Sequence, residues 1–113
     1  MVVSFVDLIE NIGEKFMRKM EKFIKLLNEI ILEINREKNN SYSPWQKTTL
    51  EDIVEPEMKE LLEHAQKGEI YFKYGKSQRR LESAYIISDS YGPLTKTLLA
   101  EKIIELQLVY YKV

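Results

Sequence analysis

With 113 residues, 44% of them hydrophobic and 31% charged, the chain matches one domain with one core and falls outside the composition of disordered proteins. Seventeen basic against eighteen acidic residues leave a net charge of −1, so no global field directs it to nucleic acid or to an anionic membrane. Cysteine is absent, which removes disulfides, thiolate metal sites and cysteine nucleophiles and points to a reducing compartment, the cytoplasm.

The chain opens Met1-Val2-Val3-Ser4-Phe5, without the basic region of a secretory signal, and Asp7 and Glu10 interrupt the apolar stretch such a signal needs. No apolar run approaches the roughly 18 residues of a membrane span. Neither standard secretion nor an integral membrane location is expected, and no membrane partner.

The first element is a long helix over about residues 4–38. Ser4-Phe5-Val6-Asp7 fits a capping box, and Val3 with Leu8 adds a hydrophobic staple. Ile9, Ile12, Phe16, Met20, Phe23, Leu27, Ile30 and Ile34 then recur at steps of three and four, and Met17, Ile24 and Ile31 widen the stripe. One unbroken helix of that length measures about 50 Å. A compact domain of this size is only about 35 Å across. Either Gly13 kinks or ends a short first segment, or the surplus length packs on a second copy. The continuity of the stripe on both sides of Gly13 favours the second copy, with Phe16, Met20, Phe23, Leu27, Ile30 and Ile34 as the self-association residues.

Residues 41–47 read as a loop, because Pro44 disfavours helix at Ser43. In it, Trp45 is either an anchor for a partner or a lid on the core. A compact C-terminal part follows over about 48–113, which completes a single domain spanning 1–113. Thr48-Thr49-Leu50-Glu51 offers a second capping box. Pro56 divides a short helical turn from a main helix over about 56–67, with Met58, Leu61, Leu62 and Ala65 as its apolar face and Gly68 as its C-terminal cap. Two readings compete for 69–88. Glu69–Tyr74 is rich in β-formers, and Leu81, Ser83, Tyr85 and Ile87 are alternate positions, which together make a β-hairpin. Leu81, Ala84, Tyr85 and Ser88 fit a helical face equally well. The last helix starts near Pro93 and turns Leu99, Ile103, Leu106 and Tyr110 inward, although 106–113 also reads as a closing strand. The expected fold is mainly α, a small helical bundle led by the long N-terminal helix, with the α+β alternative confined to a hairpin at about 69–88.

Candidate chemistry is sparse. His64 is the only imidazole, which removes His-His metal motifs, and its spacing from Glu60 is that of an ordinary helix pair. Glu51, Asp52, Glu55 and Glu57 gather at a helix start, where the helix dipole favours carboxylates. Gly13, Gly68, Gly75 and Gly92 form no phosphate loop or dinucleotide fingerprint. No cofactor, metal site or catalytic residue follows from these residues. Tyr71-Phe72-Lys73-Tyr74-Gly75-Lys76-Ser77-Gln78-Arg79-Arg80 packs four cations among aromatics, as phosphate and base binding requires. It also reads as a charged turn whose cations lie over rings. The leading functional expectation is a non-enzymatic interaction or regulatory module that forms a homodimer and contacts a further, unidentified protein partner. The alternative is a nucleic-acid-binding accessory protein using Lys73, Lys76, Arg79 and Arg80.

Overall fold

A computed structural model describes residues 5–68 and 80–112, and within them the side chains of 18–68 and 80–110. The described residues are helical, with no strand among them. Helix α1 (Phe5–Lys38) runs unbroken through Gly13, so neither a kink nor an early end there resolves the length mismatch. The molecule is instead elongated, 60 × 28 × 23 Å, with a radius of gyration of 16.6 Å against the roughly 13 Å of a compact chain this long. Ser4, the expected cap, lies outside the described residues.

The α1 stripe is the spine of the core. Met20, Phe23, Leu26, Leu27, Ile30 and Ile34 are all buried, and they pack against α3 (Glu55–Gln66) and α5 (Leu98–Lys112) of the same chain. Leu99, Ile103, Leu106 and Tyr110 of α5 have no exposed surface, as their spacing predicts, and 106–112 continue as helix rather than strand. The pairing is antiparallel. Lys102 bonds Glu29 at 3.1 Å, and the rings of Tyr110 and Phe23 stack with centroids 6.0 Å apart. Helix α3 also runs back along α1 from Lys38, whose ammonium bonds Glu55 at 3.1 Å.

After α1 the chain turns on its own polar side chains. Asn40 Oδ1 accepts from the Tyr42 amide at 3.0 Å, and Ser43 Oγ accepts from the Trp45 amide at 3.1 Å while bonding Glu37. Trp45 is a lid: it is buried, and its Nε1–H donates to Thr97 Oγ1 at 3.0 Å. That hydroxyl is saturated. It donates to the Leu94 carbonyl and accepts from the Ala100 amide as the N-cap of α5.

The expected capping box at Thr48 does not form. Helix α2 (Lys47–Thr49) begins earlier, from an extended Gln46 beside the anchored Trp45, which places Thr48 inside the helix. Pro56 stands in the first turn of the main helix, as expected, but the chain stays helical on both sides of it. A π-helical turn (Leu50–Val54) joins α2 to α3, with the Glu55 amide donating to the Leu50 carbonyl five residues back. Proline lacks an N–H and its ring crowds the carbonyl four residues earlier, so a widened turn ahead of it relieves the clash and keeps the helix going. Gly68 ends α3 at φ 74°, the left-handed C-terminal position expected of it.

The hairpin reading fails at its second strand. Residues 82–88 form helix α4 (Glu82–Ser88), with Ser83, Ala84 and Ile87 buried and Tyr85 facing solvent. The first strand of that hairpin and its turn lie outside the described residues. Gly92 at φ 124° then turns the chain into a 3-10 turn (Pro93–Lys96) that leads to α5.

Candidate functional site

The candidate self-association residues divide along α1. Phe16 stands on the part of the helix whose side chains are not described. Met20 is 6% exposed, Phe23 2%, and Leu27, Ile30 and Ile34 have no exposed surface. Those five are core residues of one chain, because α3 and α5 fill the space a second copy would take. A side chain with no accessible surface offers none to a partner without unfolding.

Of the cationic candidates, Lys73, Lys76 and Arg79 lie outside the described residues. Arg80 is exposed, with its guanidinium 4.2 Å from the centroid of the Tyr85 ring and a hydrogen bond to Ser88 Oγ. At Arg80 the cation lies over a ring, whereas the other cations and the aromatics of this segment lie outside the described residues.

The acidic cluster disperses into separate roles. Glu51 and Asp52 are exposed on the π-helical turn. Glu55 bridges Lys38 at 3.1 Å and Lys59 at 3.2 Å; the Lys38 hydrogen bond, more than any other contact, holds its carboxyl below the ordinary carboxylate range. Glu57 turns inward. Among the described residues, no three His, Asp or Glu side chains converge as a metal site would require. His64 sits half-buried on α3, and Glu60, one turn before it, is exposed.

The arrangement that sequence reasoning missed centres on Glu57. Its buried carboxylate accepts from the amides of Ser83 and Glu82, one on each oxygen, both at 2.9 Å. Gln107 of α5 accepts from the adjacent Leu81 amide. Helix α4 has no local side-chain cap, so three consecutive amide donors at its start are satisfied by side chains from two other helices. Ser83 Oγ, in the middle of this cluster, is fully buried and has no hydrogen-bond partner. No sequence signal marks the clamp, since donor and acceptor are 25 to 26 residues apart.

A shallow groove of about 180 Å³ lies between α1 and α5, lined by Lys22, Lys25, Leu26, Glu29 and Glu105. Its lining carries both signs of charge, Lys22 and Lys25 against Glu29 and Glu105. The outer face of α5 exposes Leu98, Ile104 and Leu108 beside Glu101 and Glu105. No helix among the described residues is long and apolar enough to cross a membrane. No family model matches this chain, and no characterised protein or solved structure matches it either.

Proposed function

We propose that the protein is a non-enzymatic interaction or regulatory module of the cytoplasm that self-associates through the N-terminal reach of α1. One observation carries the reading: α1 outruns the described helices that cover it. Tyr110 stacks on Phe23, so α5 runs out close to Met20, and α3 starts at Lys38 and is shorter than α5. Residues 5–19 continue as helix for about 22 Å beyond that level. Their apolar positions, Val6, Ile9, Ile12, Phe16 and Met17, keep the steps of the buried half. Helices draw most of their stability from packing an amphipathic face rather than from propensity, and Gly13 lowers the propensity of this stretch further.

The reading moves the seam from the buried residues Met20–Ile34 to the stretch before them. Sedimentation equilibrium at micromolar concentration tests it. The wild-type chain is expected to sediment as a dimer, and Phe16→Asp as a monomer that still unfolds cooperatively but with a denaturation midpoint lowered by the lost association. A wild-type chain that is monomeric throughout refutes the proposal.

A further inference from the structure

From the cations exposed along one side of α1 we infer that this side of the helix binds the phosphate backbone of a nucleic acid. Residues 18–25 carry Arg18, Lys19, Lys22 and Lys25 against Glu21 alone, and all four bases are exposed. At about 100° per residue, Arg18, Lys22 and Lys25 share a row roughly 60° wide, with Lys19 at its edge. Met20, Phe23 and Leu27 point away from that row, into the core. Elsewhere Arg36, Lys38, Lys59, Lys67 and Lys102 each pair with a glutamate. Lys19, Lys22 and Lys25 form no ion pair with any described residue, and the other described lysines in that state, Lys47 and Lys96, stand singly. Glu29, at the end of the row, is already bonded to Lys102, and Glu105 across the groove bonds neither Lys22 nor Lys25. Like charges three and four residues apart destabilise a helix, so a bound polyanion relieves a repulsion that the fold itself leaves standing.

The chemistry of the row selects the polyanion. Between Arg18 and Ile31 the exposed side chains are all polar, so this side of α1 has nothing to insert into a bilayer, as a helix lying on an anionic membrane requires. Four cations along about 10 Å of helix, roughly one per 3 Å, meet a ligand of repeating charge rather than a single phosphate. A nucleic acid duplex carries one phosphate per about 1.7 Å of its axis, dense enough to face every cation of the row. No base-reading side chain accompanies them, so the contact is to backbone and independent of sequence. None of the four is among the cations at 73–80 that the sequence marks for phosphate. The row also turns away from the apolar positions of α1, so the inference stands whether or not the chain self-associates.

The test is fluorescence anisotropy of a short fluorescein-labelled DNA duplex of mixed sequence, titrated with the full-length protein. With three or four phosphates neutralised, affinity is expected to fall about 40- to 150-fold between roughly 50 and 200 mM salt. Lys22→Glu plus Lys25→Glu is expected to weaken binding by about tenfold or more and to flatten that salt dependence, while Lys47→Glu plus Lys96→Glu, the same change in net charge placed elsewhere, weakens it less than about threefold. If the first pair does not fold, as judged by circular dichroism, Lys22→Gln plus Lys25→Gln takes its place, with a salt slope shallower by about two contacts. Equal losses from the two pairs, or no binding at the lower salt, overturn the inference. Binding to vesicles of phosphatidylserine and phosphatidylcholine in place of DNA overturns it as well.

Discussion

Replacing Glu57 with alanine strips the first turn of α4 of two acceptors at once. The amides of Glu82 and Ser83 each lose a 2.9 Å hydrogen bond, and the local backbone offers no substitute cap. Hydrogen bonds to a charged partner contribute about 1.5–3 kcal/mol each, and a carboxylate at a helix start adds a few tenths more through the dipole. The expected loss for Glu57→Ala is therefore about 3–5 kcal/mol, a large part of the 5–15 kcal/mol that holds a typical domain. Glu57→Gln keeps the shape and one acceptor oxygen but turns an NH2 toward the second amide, so about 1.5–2 kcal/mol is expected. Trp45, the single tryptophan, is buried and reports unfolding by fluorescence in urea. With a slope of 1–3 kcal/mol per molar, the alanine variant is expected to shift the midpoint by roughly 2 M. Amide hydrogen exchange at Glu82 and Ser83 localises the effect. An alanine variant within about 0.5 kcal/mol of wild type, the range of an ordinary surface substitution, refutes the clamp.

Ser83→Ala, beside the same clamp, is expected to raise the melting temperature by a few degrees, because it removes a buried hydroxyl that has no partner and improves helix propensity. Thr97→Val removes the cap of α5 and orphans the Trp45 indole N–H together, for about 2 kcal/mol in chemical denaturation, whereas Thr97→Ser keeps the oxygen and loses less than half of that. Glu55 predicts an acid limb in the stability curve. Its carboxyl is lowered in the folded state, so its pairing with Lys38 and Lys59 stabilises the protein above the ordinary value of 4.5 and is lost as the pH falls below it. Glu55→Gln should flatten that limb, and equal slopes in both proteins between pH 5 and 3, measured as the urea midpoint, discard the assignment (a window of about two units around the carboxylate pKa).

The helices that bury one regular face were legible in the sequence. On α1 and α5 the apolar residues recur at steps of three and four, and those of the marked positions whose side chains are described are buried, Leu27, Ile34, Ile103 and Tyr110 with no exposed surface. Residues 81–88 were not decidable, because Leu81, Ser83, Tyr85 and Ile87 alternate as a strand would while Leu81, Ala84, Tyr85 and Ser88 also fit a helix, and in the helix that forms Tyr85 and Ser88 are exposed while Ile87 is buried. The decision comes from Glu57 and Gln107, on helices distant in the chain, which supply the caps that a seven-residue helix lacks. Glu57 itself looked like one more carboxylate at a helix start, since burial is a tertiary property that a local charge pattern does not carry. The stripe shows the converse limit. Periodicity identifies an apolar face but does not say whose surface covers it, and from Met20 to Ile34 the cover is the same chain.

The pairing of α1 with α5 carries a consequence for how the protein is made. The contacts that close the core join residues 73 apart at Lys102 and Glu29, and further apart still at Phe23 and Tyr110. A ribosome adding about 5–20 residues per second completes α1 several seconds before α5 exists to cover it. Through that interval Phe23, Leu27 and Ile30 stand uncovered on a nascent helix, a sticky surface that a chaperone or a neighbouring nascent chain can meet first. The last helix thus sets when the first becomes safe, and a slow codon stretch between them would lengthen the exposure more than one anywhere else in the message.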